Sequence, residues 1–215
     1  MNKAVLWDMD GTLVDSLGYH WLAWRDQAAA EGLTISYDRF LSTLGRRNDE
    51  ILEEWFGDSL SAPERLRIAL DKEIRYRDCV RSNGIEPLPG VMDWMARLRQ
   101  AGWKQAVATA APGLNEEAVV EALGLASWFD ARVTAEDVTR GKPFPDIFLT
   151  AAAALAVPPE RAIVVEDAPA GVAAARAAGM KVIAVCESGP IPAADVWVAS
   201  LIDLPPDMFD ALLGR

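Results

Sequence analysis

The chain has 215 residues, of which 51% are hydrophobic, so it can form one large domain, or one domain with an insertion, around a sizeable core. Its formal net charge of -11 argues against a nucleic-acid-binding protein, and any phosphorylated substrate must be held by local positive charge or by a metal ion. The two cysteines, Cys79 and Cys186, lie far apart in the sequence and predict neither a metal site nor a disulfide framework.

The first predicted element is a short strand that ends in two acidic residues. Residues 3–7 are too few for a helix, a signal peptide or a membrane span, and are typical of a buried strand, so we expect a cytoplasmic protein without membrane attachment. Asp8 and Asp10 follow, and side chains two positions apart in an extended segment share a face. Both carboxylates can therefore reach a site beyond the carboxyl end of the strand, where open α/β sheets bind ligands. A solvated Asp-Gly turn is the alternative interpretation.

Residues 15–86 are predicted to form a small helical domain inserted between the core segments 1–14 and 87–215. Apolar residues recur there at helical spacing, and no strand pattern interrupts them. The tryptophans of this segment are interpreted as bundle core rather than as a surface that stacks on sugars. The expected helices cover about 17–31, 48–56 and 63–80, and the tryptophans are Trp21, Trp24 and Trp55.

Three residues of the inserted domain are candidates for substrate contact. His20, the only histidine, lies one helical turn past Ser16, although a structural or exposed histidine is the alternative. Arg47 follows Gly45 and Arg46 between two helices, where arginine can offer paired donors to a phosphate, although solvated side chains are the usual outcome. Lys72 lies on a mixed-charge helix face, where a solvated ion pair is the default interpretation.

From residue 87 onward, strand patterns alternate with helix patterns, which predicts a doubly wound, parallel α/β sheet. Crossovers between parallel strands are right-handed, so the carboxyl ends of the strands should lie along one edge of the sheet. The expected strands cover about 104–109, 131–134, 161–165 and 181–185, and the expected helices about 91–101, 112–123, 146–156 and 170–178.

Polar residues fall at the carboxyl ends of these strands. Thr109 ends one strand, Glu166 and Asp167 end another, and Lys142 lies in a proline-flanked loop between them. Each has an ordinary alternative interpretation, as a strand threonine, a helix cap or an exposed lysine, and Lys142 lacks the glycine and hydroxyl pattern of a P-loop. A second acidic pair at a buried strand end, together with a lysine and a hydroxyl, nevertheless favours a common site.

This combination suits phosphoryl transfer. Such a reaction needs an in-line nucleophile, a proton donor for the leaving oxygen and positive charge on the equatorial oxygens. A carboxylate can serve as the nucleophile and form an aspartyl phosphate. Mg²⁺ would neutralise the clustered carboxylates, since it prefers oxygen ligands, while Lys142 and Thr109 would contact the phosphoryl group.

The whole chain resembles the haloacid dehalogenase-like (HAD) superfamily, and its inserted domain resembles the small helical cap of that superfamily. Within it, the closest resemblance is to the β-phosphoglucomutase-like phosphatase branch, on segments 16–20 and 45–49 and on Lys72 before Tyr76. The counterparts of the four signature motifs are, in order, Asp8-x-Asp10-Gly11-Thr12-Leu13-Val14, Thr109, Lys142 and Glu166-Asp167.

The resemblance implies a role for each of these residues. Asp8 is implied as nucleophile and Mg²⁺ ligand, and Asp10 as general acid/base and, through its backbone carbonyl, Mg²⁺ ligand. Asp167 is implied as a direct Mg²⁺ ligand, and Glu166 as a ligand or as a residue that acts through a water molecule. The remaining implied roles are Thr109 and Lys142 as phosphate-binding residues and His20, Arg47 and Lys72 as cap residues that contact the substrate.

We therefore expect a Mg²⁺-dependent phosphatase that acts on a small phosphorylated metabolite, favouring a sugar phosphate, through an aspartyl-phosphate intermediate, as a monomer or weak dimer. A β-phosphoglucomutase-type phosphotransferase is the close alternative; Asn48, with Arg47 one position earlier, departs from the mutase pattern and favours hydrolysis. Haloacid dehalogenation is disfavoured, because that reaction needs neither a metal nor Asp10. A non-enzymatic phospho-receiver is disfavoured because receiver domains are roughly half this length.

Overall fold

The computed structural model describes residues 2–44 and 46–214. The chain divides into two compact units, one made of the segments up to Asp15 and from Ile85 onward, the other of Ser16–Gly84. We call them the core unit and the cap unit, and each has its own hydrophobic interior.

The core unit is built on a parallel sheet. Its strands lie in the order β3-β2-β1-β4-β5-β6, so the first strand of the chain is central and is paired on both sides. Strands β1 and β4 are buried along their whole length, as expected for a sheet covered on both faces. The strands of the described residues are β1 Ala4–Trp7, β2 Lys104–Ala108, β3 Ala131–Val133, β4 Ala162–Glu166, β5 Lys181–Val185 and β6 Val196–Val198.

In the core unit, helices alternate with strands from β2 to β5, and in the cap unit the helices follow one another without strands. Among the described residues, no helix combines the length and the apolarity that crossing a bilayer requires. The helices are α1 Leu17–Ala30, α2 Tyr37–Leu41, α3 Asn48–Phe56 and α4 Ala62–Asn83 in the cap unit, and α5 Val91–Gln100, α6 Gly113–Ala122, α7 Asp146–Ala154, α8 Pro169–Ala177 and α9 Met208–Leu212 in the core unit.

Both faces of the sheet are covered, because successive side chains of a strand point to opposite sides. On one face, Leu6 belongs to a cluster that includes Phe148 of α7 and Val172 of α8. On the other, the ring of Trp7 packs near Phe209 of α9, and its indole N–H donates to Gln105 Oε1 at 3.0 Å. The predicted doubly wound parallel α/β architecture is therefore confirmed.

The cap unit has an aromatic interior. Trp24 and Trp55 are buried and meet edge to face, with ring centroids 5.1 Å apart, and Leu52 is fully buried beside them. Trp21 is half-buried and packs against the same cluster. As predicted, these tryptophans serve the core of the bundle.

Candidate active site

The turn after β1 brings an acidic residue to the carboxyl edge of the sheet. The backbone N–H of Asp8 donates to Val165 O of β4 at 3.0 Å, which extends the strand pairing to the last residue before the turn. The chain then folds back sharply, since the N–H groups of Leu13 and Val14 both donate to Met9 O. Gly11 takes a φ of +84° in this turn, a left-handed conformation that glycine adopts without strain. The Asp8 side chain is thereby held at the edge and almost fully buried.

Lys142 joins the ends of two neighbouring strands. Its Nζ donates to Asp8 Oδ1 at 2.6 Å and to Glu166 Oε1 at 2.7 Å, and all three side chains are less than a tenth exposed. Burial alone would lower the pKa of Lys142, but the two carboxylates outweigh it and hold the pKa well above its usual range. The lysine is therefore a fixed positive charge beside Asp8.

Three carboxylates converge beside this lysine. Oxygen atoms of Asp8, Glu166 and Asp167 lie within 4.8 Å of one another. The second oxygen of Glu166 accepts the backbone N–H of Ala168 at 2.7 Å, which fixes the direction of the carboxylate. Burial, together with the charge of Glu166, raises the pKa of Asp8 and of Asp167 above the usual range, even though Lys142 opposes both shifts. Three ionised carboxylates would carry more negative charge than one lysine compensates, which is why the two acids hold their protons to higher pH.

The residues of this cluster fit a hard divalent cation. Carboxylate oxygens are the donors that Mg²⁺ prefers, and a bound cation would relieve the mutual repulsion of the three clustered acids. The turn at Gly11 leaves room for one of them, because a Cβ at this position would lie 2.1 Å from Asp167 Oδ2. The backbone at Gly11 can therefore pass close to the Asp167 carboxylate only because this residue has no side chain. The predicted ligands Asp8, Glu166 and Asp167 are brought together.

Asp10 and Thr109 occupy the same edge in different ways. Asp10 is half-buried in the turn after β1, and among the described residues its carboxylate is not a member of the three-acid cluster. Thr109 is buried directly after β2, where its N–H donates to Val133 O and its Oγ1 accepts the N–H of Ala111 at 3.1 Å. A hydroxyl that accepts in this way keeps its own hydrogen for donation.

In the cap unit, two of the three predicted contact residues are neighbours. Lys72 Nζ lies 3.0 Å from His20 Nδ1 and donates to Glu73 Oε1 at 3.0 Å. The imidazole of His20 stacks on Tyr76 with centroids 4.2 Å apart. Lys72 is 3% exposed and Glu73 is 7% exposed, so the expected solvated ion pair is in fact buried.

Arg47 lies apart from this network. Its side chain is 79% exposed and pairs with Asp49, at 3.1 Å. Asn48, the next residue, instead donates to Glu73 Oε1 at 2.7 Å. The sequence assigned no role to Glu73 and no firm role to Asn48. The feature of the sequence that could have identified Glu73 is its position next to Lys72 in a helix with a buried face. Gly45 of the same predicted loop lies outside the described residues.

Comparison with known proteins gives consistent matches over most of the chain. A family model described as haloacid dehalogenase-like hydrolase matches residues 2–179. The β-phosphoglucomutase of Bacillus subtilis (strain 168) is 33% identical over 210 residues, covering 94% of this chain and 91% of that protein. The fructose-1-phosphate phosphatase of Escherichia coli (strain K12) is 33% identical over 184 residues, covering 84% of this chain and 95% of that protein. The crystal structure of β-phosphoglucomutase from Clostridium difficile is 29% identical, with a TM-score of 0.86, covering 99% of this chain and 97% of that one.

Proposed function

The chain belongs to the haloacid dehalogenase-like hydrolase family, and within it we propose a phosphatase that releases phosphate from a small phosphorylated metabolite, with sugar phosphates as the favoured class. The observation that carries the proposal is the convergence of three carboxylates, two buried and one half-buried, and of the nearly inaccessible Lys142 side chain at the carboxyl edge of the sheet. The fructose-1-phosphate phosphatase among the relatives supports the choice of substrate class.

We propose Mg²⁺ as the cofactor. Asp8, Glu166 and Asp167 would hold it with their carboxylates, and Asp10 would contribute its backbone carbonyl. When bound, the ion supplies positive charge that neutralises these acids and the phosphate oxygens.

Asp8 is the proposed nucleophile. Its carboxylate oxygen bonds to phosphorus while the bond from phosphorus to the leaving oxygen breaks, and the leaving oxygen takes a proton from the Asp10 carboxyl. The aspartyl phosphate is then attacked at phosphorus by water, which gives a proton to the Asp10 carboxylate. This second step releases inorganic phosphate and regenerates both side chains.

Lys142 and Thr109 are proposed to bind the transferring phosphoryl group. Lys142 is already fixed beside the attacking carboxylate, so its charge can follow the group through both steps without reorganisation. The Thr109 hydroxyl, oriented by the N–H of Ala111, can donate to an equatorial oxygen.

The cap residues His20, Arg47 and Lys72 are proposed to contact the remainder of the substrate. His20 and Lys72 belong to one partly buried network, whereas Arg47 is 79% exposed and pairs with Asp49. We therefore expect substitutions of His20 and Lys72 to change substrate preference more than substitution of Arg47.

The second candidate function is a β-phosphoglucomutase-type phosphotransfer. It is favoured by the similarity to the Bacillus subtilis and Clostridium difficile enzymes. The same core residues serve both reactions, which differ in whether water or a sugar hydroxyl attacks the aspartyl phosphate.

The test of the main proposal is release of inorganic phosphate from a panel of sugar phosphates. The wild-type protein should release phosphate with Mg²⁺ and lose that activity in EDTA, and Asp8→Asn should abolish it in both conditions. An Asp8→Asn variant that retains full metal-dependent activity would refute the nucleophile assignment.

The mutase alternative needs a separate assay. β-Glucose 1-phosphate is incubated with a catalytic amount of a glucose bisphosphate primer, and both glucose 6-phosphate and free phosphate are measured. Accumulation of glucose 6-phosphate without free phosphate would favour the mutase, and free phosphate alone would favour the phosphatase.

A further inference from the structure

Gly171, a helical residue outside the motifs considered above, lies against one of the clustered acids. It belongs to α8, which follows β4 directly, and it is buried. A Cβ built on Gly171 would lie 1.7 Å from Glu166 Oε1, 2.0 Å from Cδ and 2.5 Å from Cγ. Ordinary van der Waals contact begins at 3.4 Å, so the Glu166 carboxylate occupies the space that any side chain at position 171 would need.

The backbone does not explain a glycine at this position. Gly171 is absent from the residues with positive φ, so an L-residue could adopt its conformation. Glycine is also the poorest helix former after proline, and alanine would ordinarily favour the helix at such a position. The feature that requires glycine is therefore the neighbouring carboxylate.

The atom that a side chain at position 171 would displace is Glu166 Oε1, which binds Lys142. Glu166 Oε1 accepts the 2.7 Å hydrogen bond from Lys142, and the same Lys142 ammonium donates to Asp8. Glu166 Oε2 is fixed by the N–H of Ala168. A carboxylate pushed away from Gly171 would have to give up one or both of these contacts and its place in the three-acid cluster.

We propose that Gly171 is a positioning residue for the proposed active site: its missing side chain lets the Glu166 carboxylate fold back onto α8, where it binds Lys142 and completes the proposed metal-binding cluster. Gly11 shows a parallel arrangement with Asp167, but its positive φ would strain any substituted residue, so Gly171 gives the cleaner test. This inference deepens the proposed function and rests on it where metal binding is concerned.

The first experiment measures thermal stability in EDTA, without any metal or substrate. Gly171→Ala is made in the wild-type protein and in a Glu166→Ala background. The substitution should lower the melting temperature of the wild-type protein, and should leave it unchanged or raise it in the Glu166→Ala background, since the obstructing carboxylate is gone. The same loss in both backgrounds, or no loss in the wild-type protein, would overturn the proposal.

The second experiment measures Mg²⁺ binding directly by titration calorimetry. Gly171→Ala should weaken Mg²⁺ binding by about tenfold or more, the range seen when support for a metal ligand is removed. Gly18→Ala is the matched control, because Gly18 is a helical glycine with nothing within 4 Å of a built Cβ, and its Mg²⁺ affinity should stay at the wild-type value. A wild-type affinity in Gly171→Ala would contradict the inference.

Two further outcomes are also informative. If Gly171→Ala alone is insoluble, the double variant with Glu166→Ala should recover soluble, folded protein, and failure of both would overturn the proposal. If the wild-type protein binds no Mg²⁺, the proposed cofactor is wrong, whereas the melting temperatures still decide whether Gly171 positions Glu166.

Discussion

Lys142 is the residue on which the electrostatics of the proposed site depend. It is the cation that contacts both Asp8 and Glu166, and all three side chains are nearly inaccessible to water. Removing one partner from a buried ion pair leaves an uncompensated charge, which is far more costly than removing a surface pair.

Replacing Lys142 with methionine should therefore destabilise the protein and inactivate it. We expect a loss of about 3–5 kcal/mol of unfolding free energy, measured by urea denaturation in EDTA, and a decrease of phosphate release by about 10²–10³-fold or more. Lys181→Met is the control, since the Lys181 side chain is 45% exposed and its partner Asp195 keeps a second cation, Arg176; we expect a loss of about 1 kcal/mol or less. Equal destabilisation by the two substitutions would contradict this account.

Asp195 gives a prediction for the pH dependence of stability. Burial raises its pKa, but hydrogen bonds from Lys181 and from the N–H of Val182 outweigh burial and lower the pKa below its ordinary value. A carboxyl whose pKa is lower in the folded state stabilises the protein above its unfolded pKa, and this stabilisation is lost as the pH falls through the folded pKa.

The destabilisation caused by Asp195→Asn should accordingly be largest near neutral pH and should shrink as the pH falls below about 4. Urea denaturation of both proteins over this pH range measures it. A difference in unfolding free energy that stays constant, or grows, toward acid would show that Asp195 acts through packing and not through its charge.

At the scale of elements, the cap unit depends on a small aromatic and aliphatic interior. Leu52 of α3 is fully buried in it, whereas Leu70 of α4 is 55% exposed. Replacing each leucine with alanine therefore distinguishes the loss of interior packing from the effect of the same substitution on an exposed helix surface.

Leu52→Ala should lower the unfolding free energy by about 2–5 kcal/mol, and Leu70→Ala should change it by no more than about 0.5 kcal/mol. Circular dichroism during urea denaturation measures both variants under the same conditions. A Leu70→Ala variant as unstable as Leu52→Ala would mean that the exposed face of α4 is also a structural contact.

The longer helices and strands β1 to β5 were predictable from sequence, whereas helices α2 and α9 and strand β6 were not. The period of apolar residues identified α3, α4 and β5 closely, because each buries a recurring set of side chains. Helices α2 and α9 span five residues each, fewer than two helical turns, so no helical period can be recognised in them. Strand β6 has three residues, none of them fully buried, so it lacks the buried apolar run that identified the central strands.

In the candidate site, too, some residues were predictable from sequence and others were not. Asp8, Lys142, Glu166 and Asp167 were predictable because the carboxyl ends of parallel strands meet at one edge. The buried Lys72–Glu73 pair was not, because adjacent residues on a helix rarely face each other, and only the tertiary packing of α4 encloses both.

For the whole molecule, an overall charge of -11 is combined with a site that concentrates three acids. The positive charge of Lys142 offsets part of the repulsion between these acids. The offset is incomplete, because the pKa values of Asp8 and Asp167 are still raised. A bound cation should therefore stabilise the entire fold.

Mg²⁺ at about 100 times its dissociation constant should add about 2.7 kcal/mol to the unfolding free energy, seen as a higher melting temperature that EDTA reverses. Asp167→Asn should melt at a higher temperature than the wild type in EDTA, since one acid of the crowded cluster is removed, and should lose most of the response to Mg²⁺. A wild-type response retained in Asp167→Asn would place the cation elsewhere.

The most direct test of the central claim is to trap the phosphorylated carboxylate. Protein turning over a sugar phosphate with Mg²⁺ is quenched and reduced with borohydride, which converts an aspartyl phosphate to homoserine, and its peptides are sequenced by mass spectrometry. We predict homoserine at position 8 and at no other aspartate. Turnover that leaves Asp8 unmodified while another aspartate is reduced would contradict the account.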